Sequence, residues 1–138
     1  MSPISHWLTL ATLLTTITEL PEYIRRANTL LSEAERKAVI DYLAAHPLNG
    51  DIMEGAGGIR KLRWASGGKG KSGGVRIIYY YHDPRIPLYL LTVFGKNEKS
   101  NVTKSERNEL GKKVSGLEFY TIKLHLNKCT MQNLTLSF

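Results

Sequence analysis

The chain has 138 residues, 42% hydrophobic and 22% charged, the size and make-up of one ordinary globular domain rather than a disordered or fibrous chain. Its formal net charge is +7, and a single cysteine, Cys129, excludes an internal disulfide and suits a reducing compartment. The four histidines are scattered, with no HxxxH or CxxC spacing, so no metal site is outlined.

The first stretch, MSPISHWLTLATLLTTI, is apolar. It lacks a basic n-region and an A-x-A-like cleavage site, and it is shorter than the ~20 apolar residues of a membrane span. The expectation is a cytoplasmic protein that does not engage a membrane. Residues 13–19, LLTTITE, suit a short strand. Pro21 then opens a helix in PEYIRRANTLL, with Tyr23, Ala27 and Leu30 at helical spacing and Arg25, Arg26 and Asn28 turned outward. Ser32 and Glu35 form an S-x-x-E capping box for a second helix, whose inner stripe is Ala38, Val39, Tyr42 and Leu43. Pro47 stops it near His46, and the pair makes a helical hairpin.

After the loop LNGDIMEGAGG the period becomes two. In IRKLRWA, Lys61 and Arg63 fall on one face, Leu62 and Trp64 on the other, as in a sheet with one face on a core and one exposed and basic. GGKGKSGG links this strand to VRIIYYY, HDPRIP turns the chain, and LYLLTVF is apolar enough for an interior strand. Thr103 and Glu106 repeat the capping pattern, so SERNELGKKV is a last helix. The order β-α-α-β-β-β-α describes an α+β domain: a small antiparallel sheet with helices packed on one side.

The charge is concentrated. No Asp or Glu lies between Gly55 and Tyr81, yet Arg60, Lys61, Arg63, Lys69, Lys71 and Arg76 do. Such a field favours polyanions, nucleic acid before acidic membranes or proteins. The glycine-rich loop is not a P-loop, because strands rather than a helix flank it. If its strands pair as a hairpin, Lys61, Arg63 and Arg76 converge on one surface with Lys69 and Lys71 at the rim. Arginine grips phosphate through a planar fork and lysine acts as a compact charge. Tyr79, Tyr80 and Tyr81 are candidates for stacking on unpaired bases, although one or two of them should pack the core. RNA carries its own nucleophile, the 2′-OH. Clustered cations that move protons and offset charge on the phosphate would therefore suffice for cleavage.

The run IRKLRWASGGKGKSGGVRIIYYY followed by LYLLTVFGKNEKSNVTKSERNEL resembles the RelE/HigB-type toxins of bacterial type II toxin–antitoxin systems, within the RelE/ParE superfamily. The resemblance spans roughly Thr15 to Val114 and is most specific in GGIRKLR, GKGKSGG with RIIYY, and GKNEKS. It implies a RelE-like microbial RNase fold, with an N-terminal helical hairpin and a C-terminal helix. The implied activity is that of a cofactor-free, metal-independent endoribonuclease, an mRNA interferase, that cuts mRNA in the ribosomal A site. It further implies a cognate antitoxin, and a toxin–antitoxin complex able to bind operator DNA. Lys61, Arg63, Arg76 and Lys96 match the catalytic cations, and Arg60, Lys69, Lys71, Tyr80 and Asn97 are the expected RNA contacts. Asn97 stands where better-known members carry arginine, and Thr103 where they carry a stacking tyrosine. Residues 1–14 precede the usual start, 15–114 form the toxin domain, and 115–138 replace an expected basic helical terminus, as an upstream start and a shifted reading frame would produce. Two alternatives share the fold: a ParE-like gyrase-inhibiting toxin and a non-catalytic RNA-binding module.

Overall fold

The computed structural model describes residues 14–65, 74–98 and 101–117. Lys69 and Lys71, nearly all of the 1–14 extension and most of the 115–138 tail lie outside them. The elements are β1 (Ile17–Glu19), α1 (Pro21–Leu30), α2 (Glu33–Ala45), β2 (Asp51–Ile52), β3 (Ile59–Trp64), β4 (Val75–Tyr80) and β5 (Leu88–Gly95), followed by helix α3 at 104–117. The strands form one sheet in the order β1-β5-β4-β3-β2, making the domain α+β.

Local chemistry sets the element ends. Pro21 sits in the first turn of α1. Ser32 Oγ accepts from the Glu35 N–H while the Glu35 carboxylate accepts from the Ser32 N–H, and Thr103 and Glu106 repeat the exchange at α3. Helix α2 ends at Ala45 with His46 as its cap, one residue before Pro47.

Three sequence expectations need correction. β1 pairs with β5 in parallel, so the sheet is antiparallel only from β5 to β2. The presumed loop after α2 contains β2, which extends the sheet beyond β3. The helices also cover both faces rather than one. On the first face Tyr23, Ala27, Leu31, Val39 and Leu43 of the hairpin region pack on Leu62, Ile77, Tyr79, Leu88, Leu90 and Val93. On the second, Leu110 and Val114 of α3, with Val102 before it, pack on Ile59, Ile78, Tyr80, Leu91 and Phe94. All six residues of β4 are consequently buried. A bulge between Ile78 and Tyr79, opposite Leu91, resets the alternation of β5 so that Leu90 and Val93 both face the hairpin.

Two smaller expectations also change. Ala38 is exposed and takes no part in the α2 stripe. Arg26 turns inward: its Nε donates to the Val93 carbonyl at 2.6 Å and its guanidinium pairs with Glu98. It lies three residues after Tyr23, near enough to the buried stripe for its stem to cross β5.

Candidate nucleic-acid interface

The second face of the sheet is only partly covered by α3, and its remainder carries the cations. β3 and β4 pair in the register Lys61↔Ile78, Leu62↔Ile77, Arg63↔Arg76. Leu62 and Ile77 belong to the hairpin core, and Ile78 belongs to the α3 core. Alternation therefore puts Lys61, Arg63 and Arg76 on the α3 side together. Arg63 and Arg76 stand directly opposite one another, a placement that sets Cβ atoms about 4.5–5.5 Å apart and is unfavourable for like charges. Arg63 is exposed and Lys61 half-buried, whereas Arg76 is 6% exposed.

None of the three has a carboxylate partner among the described residues. Among the described residues Arg76 donates to the carbonyl of its neighbour Val75 alone, at 3.3 Å. Lys61 Nζ donates to Asn101 Oδ1 at 3.2 Å, and that oxygen also accepts from the Val102 N–H. A nearly buried guanidinium without a counter-ion keeps an uncompensated desolvation cost.

Lys96 reaches the same end of the sheet through backbone geometry. Gly95 registers with Val75, and the Lys96 N–H donates to the Gly74 carbonyl at 3.1 Å. Gly74 must be glycine here, because a Cβ would lie 2.2 Å from the Trp64 carbonyl oxygen. Lys96 and Asn97 are exposed in the turn that the Glu98 N–H closes on the Gly95 carbonyl.

The other proposed contacts lie apart. Arg60 registers with Tyr79 on the hairpin face, where its Nη1 donates to the carbonyls of Leu48 and Gly50. Tyr79 completes that anchor: its hydroxyl donates to the Pro47 carbonyl and accepts from the Gly50 N–H, both at 2.8 Å. Burial pushes the Tyr79 hydroxyl pKa up, and the Gly50 hydrogen bond partly offsets this. Tyr80 shares the cationic side of β4 but is fully buried, its ring 6.4 Å from that of His82 and nearly parallel to it. As folded it offers no face to a base.

Sequence reasoning missed two neighbours of Lys61, Asn101 and Arg107. With Asp51, Met53 and Glu54 they line a cavity of about 220 Å³ beside Lys61. Arg107 Nη1 donates to the Glu54 carbonyl at 3.3 Å, and its Nε is buried without a partner. Its position was legible: Arg107 lies three and seven residues before the sheet-facing Leu110 and Val114. A larger cavity of about 280 Å³ opens between α1 and α3, over Thr92 and Phe94. The Glu22–Lys113 ion pair joins the two helices there.

What the fold and this face define is a small α+β domain whose sheet gathers cations at one end, without a carboxylate partner among the described residues. The family model described as the RelE toxin of the RelE/RelB toxin–antitoxin system matches residues 26–134, and the chain belongs to that family. It is thus a toxin of a toxin–antitoxin system, and membership implies an antitoxin partner. Among solved structures, the chain is similar to the free state of an E. coli RelE toxin mutant, at 13% identity and a TM-score of 0.49, over 63% of this chain and 88% of that one. No helix among the described residues is long and apolar enough to cross a membrane.

Proposed function

We propose that this toxin is a metal-independent endoribonuclease that cleaves mRNA on the ribosome, with Lys61, Arg63, Arg76 and Lys96 as its working groups. The observation that carries the reading is the Arg63–Arg76 pair, directly opposed across two strands, one member nearly buried and neither with a carboxylate partner among the described residues. A fold gains nothing from such an arrangement until an anion joins it, and a phosphodiester is an anion that two guanidinium forks can hold together.

In this reading the RNA backbone lies over the end of β3 and β4. The 2′-OH attacks the adjacent phosphorus as it loses its proton, the bond to the 5′-oxygen breaks, and that oxygen leaves with a proton. The products are a 2′,3′-cyclic phosphate and a 5′-hydroxyl end. Arg63 and Arg76 offset the charge that develops on the non-bridging oxygens. Lys61, bonded to Asn101, and Lys96, in the turn after β5, are the groups that in this reading carry protons to and from the bridging oxygens. Lys69 and Lys71 add charge that guides the strand in, Asn97 contacts it near Lys96, and the ribosome presents the codon. The setting is the cytoplasm, and the antitoxin complex also recognises its operator DNA.

The test is to induce the protein with and without its antitoxin and map new 5′ ends on translated messages. Cuts within codons that disappear in Arg76→Ala and under antitoxin are expected. Growth arrest with DNA damage and no new 5′ ends would point instead to a gyrase poison.

A further inference from the structure

The cavity beside Lys61 differs in chemistry from the rest of the cationic face. Asp51 stands directly opposite Lys61 across β2 and β3, and Glu54 follows two residues after β2. Both residues line the cavity together with Lys61 and Arg107, so its charges balance and it offers a phosphate no net attraction. Donors line it too. Asn101 spends its Oδ1 on Lys61 and Val102, which leaves its amide N–H groups to donate, and Arg107, whose Nη1 is bonded to the Glu54 carbonyl, adds its guanidinium. Ile52 and Met53 complete an apolar side. A neutral, flat ligand with both donors and acceptors along its edge suits this lining. About 220 Å³ gives room for one aromatic heterocycle of that kind.

We infer that this cavity receives one nucleobase of the bound RNA, and that it selects a base carrying an exocyclic amino group over uracil. The inference rests on the reading that the neighbouring cations hold a ribose-phosphate chain, since Lys61 belongs to both places. The amino group of adenine, cytosine or guanine donates to Asp51 or Glu54, and Asn101 and Arg107 donate to ring nitrogens or carbonyls. On this edge uracil has a single donor, its ring N3–H, flanked on both sides by carbonyl oxygens, so a carboxylate that reaches it meets an acceptor on either side.

Binding separates this inference from cleavage. Fluorescently labelled 2′-deoxy tracts of A, C or U cannot be cut through a 2′-OH, so their affinities report recognition alone. The whole protein should bind A and C tracts at least tenfold more tightly than U. In the Asp51→Ala/Glu54→Ala double variant, both positions being exposed, the three tracts should come within about twofold of each other, mainly because U gains. A uniform gain for all three would mean that the carboxylates only repel phosphate, and would overturn the inference. So would equal affinities in the unmodified protein. Cleavage-site maps provide the second readout. If messages are cut and the base bias near the cut survives in the double variant, the cavity assignment fails while the nuclease stands. If nothing is cut yet the tract discrimination appears and is then lost, the cavity stands and the nuclease reading fails.

Discussion

The two faces of the sheet treat their cations in opposite ways. On the hairpin face Arg60 is bonded to two backbone carbonyls and Tyr79 to a third, so that side chains close the 47–50 loop onto the sheet. On the other face Arg63 and Arg76, from the same hairpin, stand against each other with no carboxylate partner among the described residues. The first arrangement makes sense within the folded chain alone. The second is an arrangement that a bound anion would relieve, which is why function is proposed for one side of β3 and stability for the other. Substitutions can break or sharpen that division.

The largest effect is expected at Arg76. Removing one charge-stabilising donor should slow mRNA cleavage by roughly a hundred- to a thousandfold, or ~2.7–4 kcal/mol of barrier. The same Arg76→Ala change relieves like-charge repulsion and leaves no buried carboxylate behind. Its thermal midpoint should therefore equal or exceed that of the unmodified protein. A large loss of stability would show that Arg76 belongs with Arg60 as a structural group, and the division between faces would fall.

Next comes the hairpin face in alkali. The Tyr23 side chain is fully buried, its hydroxyl has no partner, and burial, aided by the nearby Glu19 carboxylate, pushes its pKa up to about 12 from 10.0. Below pH 10 the phenol is protonated in both folded and unfolded chains and adds no pH dependence. Between 10 and about 12 the unfolded chain releases this proton while the folded chain retains it, so stability falls as pH rises, by about 3 kcal/mol in all. Urea titrations across that range should show the loss, and Tyr23→Phe should abolish this part of it. Because the hydroxyl bonds to nothing, the phenylalanine variant should be no less stable at neutral pH.

Arg60→Ala is the mirror of Arg76→Ala. It strips a donor from the Leu48 and Gly50 carbonyls and should cost about 1–3 kcal/mol of unfolding free energy, measured by denaturant titration. The salt dependence of RNA binding should stay as it was. A reduced salt slope would put Arg60 among the RNA contacts after all.

How much of this was legible follows from the range of the signals involved. Capping boxes, Pro47 and the alternation in IRKLRW act over a few residues, so the ends of α2, the start of α3 and the shared side of Lys61 and Arg63 could be read directly. The hairpin register that brings Arg76 to Arg63 followed once the two strands were paired. β2 is two residues long within a glycine-rich connection, too short for any period, and the parallel partner of β1 lies about 70 residues away in sequence. The coverage of both faces did leave a trace. VRIIYY and LYLLTVF are apolar with little alternation, the mark of strands buried on both sides, and that argues against helices on one side only. The long reach of arginine explains the remaining misses. Arg26 and Arg107 sit beside apolar stripes and carry their charge past them, so their positions but not their contacts were encoded locally.

The smallest expected effect is on the salt dependence of binding in Lys96→Ala, and it tests whether the turn after β5 belongs to the cationic face at all. Lys96 is exposed, and among the described residues only its backbone is tied down, by the bond to Gly74. If its ammonium meets one phosphate of a single strand, the plot of log affinity against log salt should lose about 0.7 from its slope in Lys96→Ala. Unfolding free energy should be unchanged, since no side-chain bond is lost. Arg63→Ala, measured on the same strand, should change the slope by a similar amount, because each cation displaces the counterions of one phosphate. An unchanged slope in Lys96→Ala beside a reduced one in Arg63→Ala would confine the interface to β3 and β4, and the role proposed for the turn would pass to those strands alone.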